Sequence, residues 1–143
     1  MSDTGLAAFD TTVAKTNQVL KQIGQAYGWP DERRRQAYAA LRAVLHALRD
    51  RLTVDESAQF AGPLPMLIRG VYYDGWDPGR VPRKMSPDEF RQRIRQEFPY
   101  EVPGGIEPLV QTVLQALRRH VTEGEWRDIT ASLPRKLRSI LPP

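Results

Sequence analysis

Shifted by 69 residues, the stretch Val44–Tyr72 lies on Val113–Leu141 without a gap. Ten of the 29 positions are identical: Val44/Val113, Leu45/Leu114, Ala47/Ala116, Leu48/Leu117, Arg49/Arg118, Thr53/Thr122, Glu56/Glu125, Leu64/Leu133, Pro65/Pro134 and Arg69/Arg138. Chance at this composition gives roughly two. Leu52/Val121, Phe60/Ile129 and Val71/Ile140 are apolar in both copies. Upstream, Phe9 and Val13 resemble Phe90 and Ile94, in a register that needs an indel. The chain therefore reads as two tandem units, over 1–76 and 86–143. A linker over 77–85, rich in Gly, Pro and Asp, joins them.

Both units read as helical. Phe9, Val13, Thr16, Leu20, Ile23 and Tyr27 recur at spacings of three and four, which is one helix stripe. Gly28-Trp29-Pro30 ends it. Ala37, Leu41, Val44, Leu45, Leu48 and Leu52 share a face of the next helix, whose start carries Asp31 and Glu32. Thr53 with Glu56, Ser86 with Glu89, and Thr122 with Glu125 each have capping-box spacing, so a helix is expected after each. Pro65 and Pro134 suit the first turn of a further short helix in each unit. Gly104-Gly105 precedes a helix through Leu109, Val113 and Leu117. No segment alternates with period two in β-branched residues. The expected fold is all-α: two tandem four-helix units packed as one compact bundle.

Charge and composition narrow the function. Basic residues number 21 against 17 acids, and 17 of the 21 are Arg. The acids are interleaved with them, the pattern of helix surfaces laced with ion pairs. With no Cys, thiolate chemistry, iron–sulfur clusters and Cys-bound zinc are excluded. His46 and His120 lie outside any i, i+4 metal pattern. No nucleophile elbow or Gly-rich phosphate loop is present. No catalytic, cofactor-binding or metal residue is assigned. The N-terminus lacks a signal-peptide pattern and no apolar run reaches membrane-spanning length, so a cytoplasmic protein is expected.

The runs Leu41–Glu56 (LRAVLHALRDRLTVDE) and Leu64–Trp76 (LPMLIRGVYYDGW), with the later Phe90 helix, resemble the bacterial family called domain of unknown function 2267. The resemblance covers about Phe9 to Ile140. It implies a small, all-helical bacterial protein and supplies no activity, cofactor or catalytic residue.

Two surfaces stand out as candidates. Met66, Leu67, Ile68, Val71, Tyr72, Tyr73 and Trp76 make the fourth helix apolar almost all round. It is either wedged between the units or, through Tyr72, Tyr73 and Trp76, a surface for a homodimer or protein partner. In the second unit Arg135 and Lys136 replace Met66 and Leu67, leaving Leu137, Ile140 and Leu141 opposite a basic face. Arg35, Arg42, His46 and Arg49 share a helix face, so Arg35, Arg42, Arg49, Arg135, Lys136 and Arg138 form a candidate anion or nucleic-acid surface. Against that, Asp31, Glu32 and Asp50 can pair with the first three, and Arg49/Arg118 and Arg69/Arg138 suit structural ion pairs or carbonyl caps. Trp76, in the stretch Asp74–Lys84 with two acids and three bases, either holds a ligand or covers the core. A non-enzymatic interaction module is the leading expectation. Weak, sequence-independent nucleic-acid binding is the alternative, and an enzyme or small-ligand carrier with a pocket between the units a third.

Overall fold

The computed structural model describes residues 4–138, without the side chains of Ser132 and Lys136. Within them the chain forms α1 (Ala7–Tyr27), α2 (Arg34–Arg51), α3 (Val54–Ala61), α4 (Met66–Tyr73), α5 (Pro87–Glu97), α6 (Ile106–Arg118), α7 (Glu123–Ser132) and α8 (Arg135–Arg138). Short 3-10 turns occupy Asp31–Arg33 and Pro78–Arg80, and there is no strand among the described residues. The fold is an all-α compact bundle. No helix among these residues is long and apolar enough to cross a membrane.

Local chemistry sets the helix ends. Thr53, Ser86 and Thr122 each close a reciprocal capping box, with the hydroxyl accepting the third amide and the glutamate accepting the cap amide. Together these satisfy two amides that the helix itself leaves unpaired. At the end of α1, Gly28 takes the left-handed conformation at φ 69°. Its amide and that of Trp29 return to Gln25 and Gly24 carbonyls, closing the helix in a turn that costs a side chain dearly. Pro65 and Pro134 stand one residue before α4 and α8, so each proline precedes its helix rather than opening it. We expect Thr53→Ala and Thr122→Ala each to lower stability by about 1 kcal/mol in urea unfolding.

The halves interlock. α2 runs through the centre, where Leu41, Val44, Leu45 and Leu48 have no exposed surface. α1 packs on α2 and on α6, α5 packs on α2, and α3 packs on α7. Tyr27, Trp29, Phe98 and Tyr100 form a run of rings, with successive centroids 5.0, 6.1 and 5.1 Å apart. That run ties the end of α1 to the end of α5.

Two expectations need correction. α4 lies against α1 and α2 of its own half rather than wedged between the halves, and its Met66 and Leu67 are exposed. The α1 stripe is covered only in part. Thr16, Leu20 and Ile23 are buried, but Phe9 and Val13 are 47% and 39% exposed. Helical period reports which face is apolar; it does not report how far the neighbouring elements extend along it.

Candidate functional site

The candidate arginine face of α2 leads into the most polar part of the interior. His46, Arg49 and Asp50 are all buried. The residues that answer them come from α5 and from the end of α4. Glu97 on α5 accepts from Arg42 Nε at 3.0 Å, from Arg93 Nη1 at 2.9 Å, and lies 2.8 Å from His46 Nδ1. His46 Nε2 lies 2.7 Å from the Val71 carbonyl, so the ring spans α5 and α4. Asp50 accepts from Arg93 Nε at 2.8 Å and Arg49 Nε at 3.2 Å. Its backbone carbonyl accepts the Arg83 amide at 2.7 Å, which pins the connector between α4 and α5 to the end of α2.

Electrostatics follow from this crowding. Burial alone would raise the Glu97 carboxyl, but the donors His46 and Arg93 overrule it and bring it down to about 2. Burial works against the charged Arg93 too, yet Asp50 and Glu97 hold its guanidinium above the ordinary value. Charges in such a site are tolerable only when paired and hydrogen-bonded. The cluster is therefore a clasp between α2, α4 and α5, with its donors directed at acceptors within the chain.

This decides where most of the candidate residues stand. Arg49 is 5% exposed and donates to the Tyr72 and Asp74 carbonyls at 3.1 and 2.6 Å, capping the C-terminal end of α4. It offers no free surface to an anion. Arg42 is held by Asp74 at 2.8 Å as well as by Glu97. Arg138 donates to the Leu133 and Ala131 carbonyls, both at 3.1 Å. Arg35 and Arg135 are exposed. They lie on different helices, α2 and α8. The Lys136 side chain, Ile140 and Leu141 lie outside the described residues.

The aromatic candidates are also corrected. Tyr72 has no exposed surface, its hydroxyl is 2.9 Å from that of Ser57, and its ring stacks on Phe60 at 5.4 Å. It belongs to the core and cannot contact a partner. Tyr73 meets it edge-on at 5.0 Å, and Trp76 leans on Tyr73 at 5.1 Å; both are partly buried. Tyr73 packs against the core, and Trp76 packs on Tyr73. Arg118 lies 5.5 Å from the Trp126 ring centroid and 3.6 Å from Glu123, a role unlike that of Arg49.

Sequence reasoning missed Glu97 and Arg93. They are four residues apart on one helix, which signals a local ion pair, but nothing in the spacing says that α2 supplies the rest. No group of three or more His, Cys, Asp or Glu among the described residues could hold a metal ion.

Fold and site together define a small all-helical bundle closed by a buried ionic clasp. The chain belongs to the family described as uncharacterized conserved protein (DUF2267), whose model matches residues 16–140. No curated protein matches it. The match begins at Thr16, the first buried residue of α1, so Phe9 and Val13 precede it.

Proposed function

We propose that the protein is a non-enzymatic helical interaction module of the cytoplasm that acts by self-association through the start of α1. The observation that carries this reading is the uncovered end of the α1 stripe. Leu6, Phe9 and Val13 are 55%, 47% and 39% exposed; Leu6 is the extended residue just before α1, and Phe9 and Val13 follow at helical spacing on the flank that continues into the core. The Leu67 amide donates to the Thr12 hydroxyl at 2.8 Å, which sets the start of α4 and its exposed Met66 and Leu67 beside this turn. Single exposed apolar residues are ordinary; several grouped at one corner mark an interaction surface.

Sedimentation velocity tests it. The wild-type chain is expected to dimerise with concentration, and Phe9→Asp combined with Val13→Asp to give a monomer of unchanged fold. A wild-type chain that stays monomeric and purifies without a partner contradicts the proposal. The nucleic-acid alternative has less support, because Arg42 and Arg49 are engaged inside the chain. It requires binding that weakens steeply with salt.

A further inference from the structure

The adjoining flank of α1, at Thr11, Thr12 and Lys15, borders a pocket of different character. It has a volume of about 430 Å³ and lies between α1, the α3–α4 corner and the end of α6. Three bases from three elements line it: Lys15 of α1, Arg69 of α4 and His120 just after α6. Its lining among the described residues includes no Asp or Glu. This departs from the faces of α2 and α5, where Arg42, Arg49, Arg91 and Arg93 all meet carboxylates.

The bases here also show what they lack. Arg69 Nε and His120 Nε2 are buried without a hydrogen-bond partner. Buried polar nitrogens are rarely left so; Trp76 Nε1 is another, outside the pocket, and since both pocket nitrogens are closed to solvent an acceptor reaches them only as the two side chains turn toward it. The Thr12 hydroxyl, also in the lining, accepts from the Leu67 amide and keeps its own proton to donate. Burial, and then the charges of Lys15 and Arg119, hold His120 below its ordinary value. Positive charge gathered without a counter-charge is unfavourable, and an anion in the pocket would reverse that penalty.

We propose that this pocket binds a phosphate-class oxyanion, held by Lys15, Arg69 and His120. The guanidinium fork suits a tetrahedral oxyanion, and the ammonium adds a mobile point charge. Among the described residues, the charges that act on His120 are Lys15 from α1 and Arg119 from the end of α6, both cations, and Arg69 from α4 lines the same pocket. The bound anion favours the protonated imidazole, so affinity rises as pH falls through the His120 titration.

The test is titration of the full chain, followed by the NMR signals of the His120 ring. Sulfate is the probe for pH, because its own charge is constant over the range. Saturable binding is expected, several-fold tighter at about pH 5 than at about pH 8. Arg69→Gln and the exposed Lys15→Gln are each expected to weaken it about tenfold, and Arg69→Lys to restore part of the loss. Glycerol 3-phosphate and phosphatidic acid vesicles then separate a soluble monoester from a lipid headgroup, and binding of either supports the site. Shifts that never saturate, or an affinity indifferent to both Gln variants, overturn the proposal. Binding that does not tighten toward acid overturns the role of His120.

Discussion

Glu97→Gln should cost about 3 kcal/mol of stability at neutral pH, and the cost should disappear in acid. The carboxyl stands at about 2 in the folded chain against an ordinary 4.5. Each unit of that difference is worth about 1.4 kcal/mol. Its side chain is 22% exposed, so solvent screens little of this. A depressed carboxyl stabilises the fold above its unfolded value and loses that contribution as pH falls through the folded one. The window is therefore from about 4.5 down to about 2. Glutamine keeps the shape but leaves Arg42, Arg93 and His46 without their shared charge, and removing one member of a buried ionic cluster costs more than the cluster itself contributes. Urea unfolding of both chains between about pH 7 and pH 2 reads the effect. A gap that closes across that window is expected; a gap independent of pH contradicts the clasp.

Tyr72→Ala should cost about 3–5 kcal/mol, while Tyr72→Phe should cost about 1–2 kcal/mol. The alanine variant empties a site that Phe60 and Tyr73 line. The phenylalanine variant keeps the packing and strands the hydroxyl of Ser57, which has no exposed surface. Burial pushes the Tyr72 hydroxyl far above its ordinary value, so it remains a neutral donor or acceptor across physiological pH. Were the ring a surface contact, both substitutions would stay within about 0.5 kcal/mol. Thermal or urea unfolding of the two variants separates these outcomes.

What was legible in the sequence was short in range. The capping boxes at Thr53, Ser86 and Thr122 and the stop at Gly28 lie within a few residues of the bonds they make, and the helices begin and end there. The matched Thr53 and Thr122 correctly mark the starts of α3 and α7. What was not legible depended on partners remote in the chain. Arg42, His46 and Arg49 were readable as one face, and Asp50 as a partner, but Glu97 reaches them from α5 and the Tyr72 carbonyl from α4. Tyr72 reads in sequence as either a core residue or a surface anchor, because aromatic residues serve interfaces and cores alike; only its neighbours decide. The apolar stripe of α1 was read correctly in phase and too generously in length. Lys15, Arg69 and His120 had nothing in sequence to connect them.

The central claim is that the two halves form one cooperative body, with α1 on α6 and α2 on α5. Trp76 reports on the first half, Trp126 on the second, and Trp29, stacked on Phe98, on the seam between them. Urea unfolding followed by fluorescence, in one variant with Trp29→Phe and Trp126→Phe and another with Trp29→Phe and Trp76→Phe, reads each half within the whole chain. After correction for the change in stability each substitution causes, coincident single transitions that also match the loss of helical circular dichroism are predicted. A second-half signal that melts separately from the first would contradict the account.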